Sequence, residues 1–242
     1  MIKWLEIKNT FRNKRFILFT LLLPSFWYLF MLGFSDSFKL HGQSINYILY
    51  LTAALIGISG NSIVTFSKKI STTRSFYQLQ RLTSHYSFNR WLIDQLVVQI
   101  MLNTIICIVL IVLGEIYQAI PFTFTFLVLL LLVLILGIYL SIIRFWIGIR
   151  LDSATISALS MPLSTGFSLL MFPWSGYISG NNWFLKVTFF IQKFFPGYYI
   201  SEQLERMQNN QNTLTTVLLF ILINMAIFVP TVFFLKKIKK IN

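Results

Sequence analysis

Six long apolar runs, separated by shorter polar and mostly basic breaks, set the rhythm of the chain: 16–34, 45–66, 91–114, 122–143, 154–172 and 214–235. Each is long enough for a helix crossing about 30 Å of hydrocarbon at about 1.5 Å per residue. The stretch from Phe126 to Ile138 carries no charge at all. The pattern predicts an all-α integral membrane protein, a single transmembrane domain over residues 1–242 with six transmembrane helices. A further apolar stretch, Trp183 to Phe195, has 13 residues, two lysines and a closing Pro196-Gly197. It is too short and too broken to cross, which predicts a re-entrant or interfacial segment on the outer side between the fifth and sixth helices. Before the first run, Trp4, Ile7 and Phe11 fall close to one helical face, and the intervening Lys and Asn point elsewhere, which predicts an interfacial helix leading into the membrane.

Composition agrees with the pattern. With 56% hydrophobic and 11% charged residues, 242 residues hold more apolar surface than one water-soluble core of that size can hide. The net charge of +13 resides in short clusters between apolar runs, which points to anionic headgroups and insertion orientation, not to nucleic acid. Counted on alternate sides, the Lys and Arg residues divide 16 to 4. The rich side holds Lys3 to Arg15, Lys68 to Arg90, Arg144 and Arg150, and Lys236 to Lys240; the poor side holds Lys39, Lys186, Lys193 and Arg206. Cytoplasmic loops retain positive charge, so both termini are expected in the cytoplasm of a multi-pass plasma-membrane protein. An odd number of crossings would strand one basic terminus on the poor side. The first run follows five basic residues without a small-residue cleavage site, so it is expected to remain as a spanning helix. Cys107, the lone cysteine, lies within an apolar run and reads as a packing residue.

Candidate chemistry is sparse. Gly57-Ile58-Ser59-Gly60 matches the GxSG of rhomboid proteases, but the serine needs a membrane-embedded histidine. His41 and His85 fall in loops on opposite sides, so small residues permitting close helix packing are the better explanation. No phosphate-binding GxxxxGK[ST] and no metal-ligand cluster occurs, so no catalytic, cofactor or metal residue is assigned and any ATP must be bound by another polypeptide. Glu202 and Glu205 beside Arg206 read as a solvated face. Asp94, four residues after Arg90, reads as half of a local ion pair, and it is the only carboxylate near a position suited to ion-coupled transport. Two polar stripes have helical spacing: Gln95, Gln99 and Asn103 in the third run, and Ser153, Ser157, Ser160, Ser164 and Ser168 in the fifth, with Pro162 among them. Both faces should avoid lipid, either as interhelical glue or as the lining of a path.

Several segments together resemble the ABC-2 type permeases, the membrane subunits of bacterial ATP-binding-cassette exporters, over nearly the whole chain. The basic amphipathic stretch Trp4 to Arg15, followed by a span containing Pro24, is similar to the family's elbow helix and first helix. Leu79-Gln80-Arg81-Leu82-Thr83-Ser84, then Ser87 and Arg90-Trp91, resembles its inner loop, which carries the coupling helix. Ser175-Gly176-Tyr177, Trp183, Leu185, Phe195-Pro196 and Tyr198-Tyr199 resemble its outer connection. The acidic residues and glycine often found before the coupling helix are here Lys68-Lys69 and Thr72-Thr73. The resemblance implies a dimer of two permeases, identical or not, on ATP-binding subunits that hold ATP and Mg. Arg74, Tyr77, Leu79, Arg81 and Leu82 would couple to the ATPase, and Thr52, Ser59, Ser62, Ser157, Ser160, Ser164 and Ser168 would face the substrate path. The implied cargo is amphipathic or lipid-soluble, such as an antimicrobial peptide, a drug conferring resistance when exported, or a lipid-linked compound. The competing expectation is a stand-alone membrane immunity or regulatory protein that uses no ATP.

Overall fold

In hydrocarbon a backbone must satisfy its own N–H and C=O groups, so Leu-, Ile- and Phe-rich runs can only be helical. A computed structural model describes residues 8, 11–12, 14, 17–37, 42–61, 67–73, 88–117, 120, 122–172, 174 and 183–240. Among the described residues, all regular structure is helical. The elements are α1 (Leu23–Ser37) behind a π-helical turn (Ile17–Leu22), α2 (Gln43–Asn61), α3 (Phe88–Ile116) and α4 (Phe124–Arg150), followed by α5 (Ser153–Met171), α6 (Trp183–Gln192), α7 (Pro196–Gln208) and α8 (Leu214–Lys240). The π turn has a local cause: Pro24 has no N–H to offer the carbonyl of Thr20, so the regular ladder breaks there.

Among the described residues, three helices are long and apolar enough to cross a membrane: Ile93–Ile116 of α3, Phe124–Arg150 and Leu214–Phe233 of α8. A fourth is reached if α5, bent by 53° at Pro162, counts as one crossing. Thr20–Ser35 and Ile45–Gly60 are shorter apolar helices, the first broken by the π turn and the second running into 62–66, which lie outside the described residues. Among the described residues, length and composition thus support several crossings and do not show all six expected from the charge pattern.

Helix α4 is the centre of the bundle: 56% of its most apolar window is buried, against 17% for α8. Around its first turns an aromatic cluster closes the core. The Tyr47 and Tyr50 rings lie 5.9 and 5.2 Å from that of Phe126, and the Tyr47 hydroxyl shares a 2.7 Å hydrogen bond with Thr123. Cys107 is buried within the same cluster, with the Tyr50 hydroxyl donating to its carbonyl at 3.5 Å. Small residues let the helices approach: a Cβ on Gly57 would meet Ile106 at 2.8 Å, and one on Gly137 would meet Asn103 at 2.6 Å. The Gln95, Gln99 and Asn103 stripe is buried, as expected, and Gln99 donates to Asn103 across one turn at 3.2 Å. Outward faces are apolar instead. On α1, Phe26, Phe30 and Phe34 stack in a ladder with centroids 6.3 and 6.5 Å apart, all exposed. Of the lead-in helix, Phe11 packs against Val98 and Leu102 while Lys8, Arg12 and Lys14 are exposed; Trp4 and Ile7 lie outside the described residues.

At the other end of the bundle α7 caps α4 and α8. Its Glu202 and Arg206, read from the sequence as part of a solvated face, form a half-buried ion pair at 2.7 Å, and Arg206 also donates to the carbonyl of Asn212. Thr216 of α8 donates to Gln203 of α7. Asn210, at φ 51°, makes the left-handed turn between the two helices, a conformation asparagine tolerates better than most residues.

Candidate functional site at the basic end of the bundle

The sequence pattern ends the fourth apolar run at Ile143 and assigns Arg144 and Arg150 to a loop. The helix instead continues to Arg150, because Phe145 to Ile149 keep it apolar and no proline or turn dipeptide interrupts it. Arg144 is thereby carried inside and is fully buried. Its Nη1 donates to the carbonyl of Ile58 on α2 at 3.2 Å, and its guanidinium lies 5.7 Å from the centre of the Phe167 ring on α5. Nε and Nη2 have no hydrogen-bond partner. A buried guanidinium has five N–H donors to place, and leaving them unmet is unfavourable, so this arrangement is held by its surroundings and not by its own bonds.

Those surroundings join three helices to the beginning of the basic loop. Ser67 donates to the carbonyl of Arg144 at 3.1 Å, and Ser71 donates to that of Leu151 at 2.9 Å. Gly148 makes room for this strap: a Cβ there would stand 2.8 Å from the Ser67 carbonyl oxygen and 2.9 Å from Ile70. Residues 68–73 are helical and lead towards the segment expected to dock a partner. Arg74, Tyr77, Leu79, Arg81 and Leu82 lie outside the described residues, as do Ser62 and both histidines.

Just past Leu151, the Asp152 carboxylate caps α5 by accepting from the backbone N–H groups of Ala154 and Thr155, each at 3.2 Å, and from the Thr155 hydroxyl. The Thr155 hydroxyl and then its N–H hold this carboxyl below its ordinary value.

The expected path residues divide between two settings. Thr52 is buried in the core and its hydroxyl turns back to the carbonyls of Ile48 and Leu49, at 3.0 and 2.9 Å. Ser59 is buried one residue beyond the carbonyl that receives Arg144, and its Oγ has no hydrogen-bond partner. Ser157 is exposed, while Ser160, Ser164 and Ser168 are half-buried. Ser157 donates to the carbonyl of Ser153 and Ser160 to that of Ser157, both at 2.8 Å. These two hydroxyls are satisfied by their own helix, so that part of the face tolerates an apolar neighbour. Near the far end of α5 is a hollow of about 420 Å³ between α5 and α6, walled by Leu169, Leu170, Leu185 and Ile191 with Trp174 and Gln192. It is apolar and of the size of ordinary small-molecule sites.

No protein-family model, curated protein or solved structure matches the chain.

Proposed function

We propose that the chain is the permease subunit of an ATP-driven exporter, crossing the membrane six times with both termini in the cytoplasm. It moves an amphipathic or lipid-soluble substrate while a separate ATP-binding-cassette subunit hydrolyses ATP. The observation that carries this reading is the strap at the basic end. A loop that only held positive charge inside would need no fastening, whereas residues 67–71 are bonded to the carbonyls of Arg144 and Leu151 on either side of the end of α4. Through Arg144 the same point touches α2 and α5, the helices carrying Ser59 and the serine stripe. A push on the loop therefore reaches both path-bearing helices through packed side chains, which is what coupling to an ATPase below the membrane requires. The resemblance to ABC-2 permeases and the 16 to 4 division of basic residues support the same reading.

Support for a re-entrant outer segment comes from the lengths of α6 and α7, which at 10 and 13 residues are each too short to cross the hydrocarbon alone.

Coupling is tested by copurifying the chain with candidate ATP-binding subunits and comparing it with a Tyr77→Ala, Leu82→Ala variant, which keeps every charge. The expected outcome is a stable complex whose substrate-stimulated hydrolysis falls at least fivefold in the variant. A chain that protects cells or binds its target with no ATPase bound is instead a stand-alone immunity or regulatory protein.

A further inference from the structure

Two short side chains on α8, Ala226 and Pro230, leave a groove of about 440 Å³ against α4 that is open on its outer side. Its walls are apolar: Ile143, Ile147 and the Trp146 ring face it from α4. At its basic end stands Arg150, with its guanidinium 5.9 Å from the centre of the Trp146 ring. The ring is itself fixed, because its Nε1 donates to the Thr231 hydroxyl at 2.9 Å and that hydroxyl donates onward to the carbonyl of Ile227. Arg150 has no carboxylate partner among the described residues. The nearest acid in sequence, Asp152, is engaged by Ala154 and Thr155. Beyond Pro230 the same helix runs on into Lys236, Lys237, Lys239 and Lys240.

The result is an apolar channel open to the side of the bundle and ending in an uncompensated cation braced on an aromatic ring. We propose that it seats one anionic phospholipid of the leaflet at the basic end, with an acyl chain along Ile143, Ile147 and Ala226 and the phosphate on Arg150. The apolar walls match a hydrocarbon chain, and the fixed positive charge selects the headgroup. A second copy of the chain would also cover apolar surface, but with 7 acidic residues against 20 basic ones it is a poorer source of a counter-anion for Arg150 than an anionic leaflet. The inference rests on the membrane-spanning reading and is independent of ATP-driven transport, so loss of one leaves the other standing.

Native mass spectrometry of the full chain in detergent, titrated with phosphatidylglycerol or phosphatidylcholine, tests it. Phosphatidylglycerol should be retained at least tenfold better. Arg150→Gln should lower that retention at least fivefold, with Arg150→Lys restoring most of it. Ala226→Trp, which fills the groove and keeps every charge, should lower it as well, and helicity and elution volume of each variant check that the bundle is intact. Unchanged retention in both Arg150→Gln and Ala226→Trp overturns the proposal. So does loss on Lys236→Gln, Lys237→Gln with Arg150→Gln silent, because the lipid then binds the tail. Disulfide-linked dimers formed in membranes by Ala226→Cys in a Cys107→Ser background also overturn it, by assigning the groove to a second copy.

Discussion

Arg144 concentrates the tension of this molecule in one side chain. It makes a single hydrogen bond, to Ile58, and stacks on Phe167, while two of its nitrogens remain unmet. Removing the whole charged group also removes its desolvation cost, so Arg144→Met should leave stability within about 1 kcal/mol of wild type or raise it. Transport should nevertheless fall at least tenfold, since the side chain that links α2, α4 and α5 is gone. Thermal unfolding in detergent and uptake into inverted vesicles measure the two effects. A loss of stability above about 3 kcal/mol would mark Arg144 as a structural brace and not a coupling residue. This residue was hidden in the sequence because charge counting treats every arginine flanking an apolar run alike. The Gln95, Gln99 and Asn103 stripe was legible because three polar side chains at four-residue spacing have one helical face, and only burial satisfies it.

At the scale of elements, helix contacts are controlled by where a side chain is missing. Gly57→Val would drive new atoms into Ile106 and Pro24, and should lower stability by about 1–3 kcal/mol. Gly33→Ala meets nothing within 4 Å and should be neutral or stabilising by up to about 1 kcal/mol, through higher helix propensity. Thermal unfolding of both variants in one detergent makes the comparison, and equal effects would mean that the approach of α1, α2 and α3 is not tight at Gly57. The existence of most helices was legible, because apolar runs of this length permit little else. Their ends were less so. Helix α4 outran its expected end by seven residues, with Arg150 as its last residue instead of Ile143, since Arg144 interrupts hydropathy without interrupting backbone bonding. Helix α7 was not expected as a separate element. Its Tyr199, Ile200, Gln203 and Leu204 face inward at helical spacing, but Glu202, Glu205 and Arg206 among them read as loop charge.

For the whole molecule, the charge division makes the firmest statement. A cysteine introduced near Lys3 or near Lys240, in a Cys107→Ser background, should be labelled by an impermeant reagent only after the membrane is opened. Labelling of either from outside intact cells would contradict two cytoplasmic termini, and labelling of only one would contradict an even number of crossings. Among the described residues, length shows three or four crossings where charge implied six, because Pro24 and Pro162 interrupt two of the runs and residues 62–66 lie outside the described structure. The shallow seating of α8 has a further consequence, for how the protein is made. Most of the core comes from α1 to α4, neighbours in sequence, and this part can close before Met171, Tyr199, Ile200, Leu204 and Phe220 of the later helices are added to it. Helix α8 arrives last, with most of its surface still facing outward. A side-chain hydrogen bond such as that from Trp146 to Thr231 is worth only about 0.5–1.5 kcal/mol net. The last helix is thus a panel fitted late to a largely finished wall, keyed into it by the buried Thr216, Phe220 and Thr231.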